Sequence, residues 1–112
     1  MELLSRVEAG ATIITVNAGR IDAAVAIRFK DQMRQATEGQ RGRVILNLEE
    51  VDFIDSSGLG AIVASMKQLE GGQKLELACL RANVDKVFRL TRMDTVFPIH
   101  RDLGGALQAD AS

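Results

Sequence analysis

Residues 44–48, Val-Ile-Leu-Asn-Leu, constrain the fold more than any other stretch of this chain. Apolar, mostly branched side chains on successive positions, broken only by Asn47, suit a central strand buried on both faces. Soon afterwards the pattern changes period. Leu59, Ile62, Val63, Met66 and Leu69 recur at helical spacing and mark the core face of a helix that Gly71-Gly72 ends.

The flanking segments repeat this alternation of strand and helix. "ELLSRVE" and "ATIITVNAG" read as two strands joined by the turn residues Ala9 and Gly10. Asp22 stands as the expected N-cap of a helix over "AAVAIRFKDQMRQATEG", with Val25, Ala26, Phe29 and Met33 at helical spacing and Gly39 as its stop. "KLELACL" is a strand, "NVDKVFRLTRM" a helix, "TVFPIH" a short edge strand and "DLGGALQA" a short terminal helix. The order β-β-α-β-α-β-α-β-α predicts an α/β fold with a mixed sheet. At 112 residues there is enough chain for one core, so residues 1–112 read as one domain.

Composition narrows the function. Hydrophobic residues at 46% and charged residues at 26% are those of a folded domain. A net charge of −1, with no Lys/Arg cluster, argues against direct binding of nucleic acid. Tyr and Trp, the usual stacking anchors, are absent. Cys79, the single cysteine, cannot form an internal disulfide and reads as a small buried side chain. The N-terminus lacks the basic start and apolar core of a signal peptide, and no apolar run approaches the ~18 residues a bilayer demands. A cytoplasmic protein without a membrane partner is the expectation.

The chemistry-bearing stretch is "FIDSSGLGAIVASM", residues 53–66. With a helix starting near Ser57, Asp55 or Ser56 falls at its N-cap, where the exposed N–H groups of the first turn favour negative charge. Gly58 would leave that turn uncovered. Gly60, Ala61 and Ala64 would keep the side opposite the Leu/Ile/Met stripe shallow enough for another protein's backbone. A capped helix with small residues for internal packing is the competing reading. A serine nucleophile would need a base within hydrogen-bond reach, and the only histidine, His100, lies at the end of the proline strand. Neither a G-x-S-x-G elbow, a phosphate-cradling G-x-x-x-x-G-K-[ST] loop, nor a calcium loop accompanies the acids Glu49, Glu50, Asp52 and Asp55. No enzyme activity, metal, cofactor or small-molecule substrate is expected.

"VILNLEEVDFIDSSGLGAIVASMKQL" closely resembles the central segment of the anti-sigma factor antagonists, the small single-domain bacterial members of the STAS group. "GRIDAAVAIRF", with Gly19, Ile21, Asp22, Ala26 and Phe29, is similar to their other characteristic segment. The resemblance implies a STAS-like mixed sheet with about four helices packed on it in a single layer. It also implies a partner switch, with a STAS scaffold or adaptor subunit of a larger bacterial signalling assembly as the alternative. The unmodified protein binds an anti-sigma factor with serine kinase activity and so frees a sigma factor. Phosphorylation at Ser56 ends the binding, and a PPM-type serine phosphatase reverses it. The resemblance places Asp22, Asp55, Ser56, Ser57, Gly58, Leu59, Gly60 and Ala61 at the partner surface, with Ser57 a neighbouring hydroxyl. Where that family usually has Glu, this chain has Arg20, a change that bears on the choice of partner.

Overall fold

The turn that opens the fold is made by Ala9 and Gly10, both at positive φ (52° and 77°). That is the mirror-image turn whose twist matches a right-twisted hairpin. It joins β1 (Glu2–Glu8) to β2 (Ala11–Asn17) in antiparallel register, with Glu8 opposite Ala11. The computed structural model describes residues 1–109. After β3 (Arg20–Ile21) come α1 (Ala26–Thr37), β4 (Arg43–Asn47), β5 (Phe53–Ile54) and α2 (Ser56–Lys67). β6 (Leu75–Ala78), α3 (Ala82–Leu90), a 3₁₀ turn at Met93–Thr95, β7 (Ile99–His100) and α4 (Leu103–Gln108) complete the order.

Five strands form a mixed sheet in the order β1-β2-β4-β6-β7, with every pair after the hairpin parallel. Side chains alternate across it. Ile14, Val16, Val44, Leu46, Leu75 and Leu77 face one way and join Phe29 and Met33 of α1, Ile62 of α2, and Val84 and Phe88 of α3 in the main core. Phe97 meets Phe88 edge-on, with ring centroids 5.9 Å apart. Ala11, Ile13, Ile45 and Ala78 face the other way and are covered by Ala106, Leu103 and Leu107 of α4. The expected single layer of helices therefore holds for α1, α2 and α3, while α4 lies on the opposite face. It does so because Ala11, Ile13, Ile45 and Ala78 give the second side an apolar patch of its own that also needs cover.

A polar fastener crosses that second face. Arg43 grips both carboxylate oxygens of Glu76, Nε at 2.9 Å and Nη2 at 2.6 Å, and its Nη1 donates to the Ala109 carbonyl at 3.3 Å. His100 Nε2 lies 2.7 Å from Glu76 Oε1. Burial alone would push the Glu76 carboxyl up. The bonds from Arg43 and His100 outweigh it and hold the carboxyl below its ordinary value of 4.5. The same bond to Glu76 raises the Arg43 guanidinium. The Arg43–Glu76 pair thus ties β4, β6, β7 and the residue after α4 together.

Three local expectations differ from the structure. Asp22 does not cap α1, because residues 22–25 close a turn of their own. Val25 N donates to the Asp22 carbonyl at 3.1 Å, and the helix starts only at Ala26. Within "TVFPIH" only Ile99 and His100 pair in the sheet; Phe97 N bonds back to Met93 O at 2.9 Å and keeps the preceding residues in a helical turn. Cys79 lies just past β6 at φ 63°, half-buried, and burial raises its thiol pKa.

Candidate functional site

β3 and β5 lie a short turn beyond the carboxyl ends of β2 and β4 and pair with each other as a separate two-stranded ribbon, Arg20 opposite Phe53 and Ile21 opposite Ile54. Ile21 and Ile54 are buried, which pins the ribbon to the core and fixes where α2 begins. Asp55 is the N-cap. Its backbone is extended (φ −104°, ψ −176°), and its Oδ1 accepts from Gly58 N at 2.8 Å. Its Oδ2 accepts from Ala23 N at 3.2 Å, so one carboxylate ties α2 to the turn before α1. That turn is held in its own right, since Asp22 Oδ1 accepts from Ala24 N at 3.1 Å and Asp22 Oδ2 from Arg20 Nε at 3.2 Å.

Ser56 and Ser57 are the first two helical residues and both are exposed. The glycines that follow play opposite parts. A Cβ on Gly58 would stand 1.9 Å from the Ile21 carbonyl oxygen, whereas one on Gly60 would meet nothing within 4 Å. Gly58 is therefore buried and lets α2 rest on β3. It does not leave the first turn open, as the sequence suggested. Ala61 is likewise buried, at 3% exposure, because Gly58, Ala61, Ile62 and Ser65 form the inner face of α2. Of the residues expected at the partner surface, Ser56, Ser57 and Gly60 are exposed, while Asp22, Asp55 and Leu59 are half-buried.

The sequence reading missed the platform beside the serines. The Arg20 guanidinium stacks 4.3 Å from the centroid of the Phe53 ring, itself 41% exposed. A strand of two residues shows no period, so the pairing that brings 20 and 53 together left no trace in the pattern. His100, the only histidine, is engaged with Glu76 on β6, so the serines have no imidazole base. Among the described residues, no three His, Cys, Asp or Glu side chains gather closely enough to hold a metal ion.

Comparison with known proteins bears on this arrangement directly. The sequence pattern of the STAS domain matches residues 3–106. An anti-sigma-B factor antagonist of Listeria monocytogenes is 34% identical over 85 residues, covering 73% of each chain. The chain belongs to the anti-sigma factor antagonist family of STAS domains. Solved structures carry the same fold at lower identity. A STAS domain protein described as an anti-sigma-factor antagonist from Planctomyces limnophilus superposes with a TM-score of 0.88 at 23% identity, over 98% of both chains. The anti-sigma factor antagonist SpoIIAA in its unphosphorylated form gives 0.73 at 23% identity, over 95% of this chain and 93% of that one. Its phosphorylated form, from Bacillus, gives 0.66 at 22%, over 95% and 96%. In this STAS domain no helix among the described residues is long and apolar enough to cross a membrane.

Proposed function

We propose that this STAS domain, acting as a single unit, is the antagonist in a phosphorylation-controlled partner switch. The unmodified protein binds an anti-sigma factor that is also a serine kinase, and a sigma factor is released. Phosphate on Ser56 ends the binding, and a metal-dependent PPM-type phosphatase restores it. The chain is a substrate and binding partner, not an enzyme, and works in the cytoplasm. The observation that carries this reading is the exposure of Ser56 on an intact cap. Asp55, and not the serine, satisfies Gly58 N and Ala23 N, so the hydroxyl can be modified without dismantling the helix start. The existence of SpoIIAA, a protein of this fold, in both unphosphorylated and phosphorylated forms supports the same reading.

The electrostatics fit a blocked contact. A phosphate adds about −1.5 to −2 charge at neutral pH. At an exposed helix N-terminus that charge gains roughly 0.3–1 kcal/mol, offset by the neighbouring Asp55. The fold tolerates it. A partner must instead desolvate a bulky dianion against a surface made for a hydroxyl, and a tenfold loss of binding takes only about 1.4 kcal/mol. Beads carrying Ser56→Ala and Ser56→Glu proteins, incubated with lysate of the native cell, test the switch. Retention of an ATP-dependent serine kinase by the alanine form alone is expected. Equal retention by both forms overturns control by charge at Ser56. Mass spectrometry of the protein treated with that kinase should then place phosphate on Ser56; phosphate on Ser57 would move the acceptor by one residue.

A further inference from the structure

We propose that Arg20 is the resident counter-ion for a phosphate on Ser56, a role that rests on the phospho-acceptor reading above. The register of the β3–β5 ribbon sets it up. With Ile21 and Ile54 turned into the core, alternation sends Arg20 and Phe53 to the outer face, followed on the same face by Asp22 and Asp55. Ser56 follows at once, its Cα at most about 11 Å from that of Phe53, whose ring carries the guanidinium. Gly58, two residues further on, rests on the carbonyl of Ile21, the residue next to Arg20.

The guanidinium is held but not used up. The Phe53 ring supports its plane and Asp22 takes Nε, yet the side chain stays 63% exposed. Of its five N–H donors, only the one on Nε meets an acceptor among the described residues. The four Nη donors remain, in the planar fork that suits phosphate oxygens. The carboxylates on this ribbon are Asp22 and Asp55, which continue its outer face, and Asp52, which is bonded by Asn83. A dianion added there adjoins the Asp55 carboxylate, which repels it, and the stacked cation on the same ribbon attracts it. Arg20 thus keeps the phosphate close to the ribbon and lets Asp55 remain at its cap.

The test uses full-length protein with phosphoserine installed at position 56 during translation, independent of any kinase. The second ionisation of the phosphate is followed by ³¹P NMR in the parent protein and in Arg20→Gln and Arg20→Lys. Arg20→Gln should raise that pKa by roughly half a unit, a difference that shrinks in high salt. Arg20→Lys should restore part of it. Phosphoserine installed instead at the exposed position 5 should not respond. Superimposable titrations for the parent and Arg20→Gln, or an equal shift at position 5, overturn the proposal. Thermal unfolding of unphosphorylated Arg20→Gln shows that the fold is retained. A cell in which no kinase uses Ser56 would sink the switch and leave the titration unchanged, so the two failures are distinguishable.

Discussion

A methyl group at position 58 decides how closely α2 can approach β3. The ideal Cβ would overlap the Ile21 carbonyl oxygen at 1.9 Å, and backbone cannot swing aside as a side chain can. Gly58→Ala gains the usual alanine preference of about 1 kcal/mol in a helix, but the overlap forces ribbon and helix apart. A net loss of about 1–3 kcal/mol is expected in urea unfolding. Asp55→Ala removes the acceptor for both Gly58 N and Ala23 N and should cost about 1–2 kcal/mol. On the far face, Glu76→Gln leaves Arg43 without its carboxylate and should cost about 3 kcal/mol at pH 7. The sign of its pH dependence follows from the lowered carboxyl. The unfolded chain binds the proton more readily, so the stabilisation is present above 4.5 and is lost as pH falls through the lower folded value. The stability gap between parent and Glu76→Gln, measured by urea unfolding, should therefore be widest near neutrality and narrow towards pH 3. An unchanged gap would mean that Glu76 does not act as a carboxylate.

At the scale of elements, α2 has two faces that its small residues serve differently. Gly58, Ala61 and Ser65 let the helix pack closely inward, with the Ser65 hydroxyl donating to the Ala61 carbonyl at 2.8 Å. Gly60 faces open space. Gly60→Ala should stabilise the isolated protein by about 0.5–1 kcal/mol, seen as a higher urea midpoint. Under the proposed function it should also weaken binding of the anti-sigma factor, because it thickens the face a partner meets. Stabilisation with undiminished binding would place the contact elsewhere. From the sequence, the Leu/Ile/Met stripe and the acid–serine start located α2 correctly, because helical period and caps are local properties. Which small residues face inward was not legible. Glycine and alanine carry no hydropathy contrast, and the answer depends on β3, a strand too short to leave a pattern. Asp22 misled for a related reason: an aspartate serves a turn as well as a helix cap, and here the turn over residues 22–25 takes it.

At the scale of the whole molecule, the alternation of strand and helix specified the mixed sheet, and the resemblance specified its kind. The side on which α4 packs was hidden, because Ile13 and Ile45 declare only that their strands are buried on both faces. The fastener of Arg43, Glu76 and His100 was hidden too, since it joins three strands far apart in sequence. These ties make the molecule one connected scaffold with the serines at its rim. Phosphorylation should accordingly leave the fold in place. Amide NMR shifts should move around β3, β5 and the start of α2 and stay fixed in β4, β6 and α3. The most direct test of the account is the affinity of the captured kinase for the protein with serine and with phosphoserine at position 56, measured by calorimetry. A loss of at least tenfold on phosphorylation, with the fold unchanged, is the predicted result. Equal affinity for the two forms would contradict it.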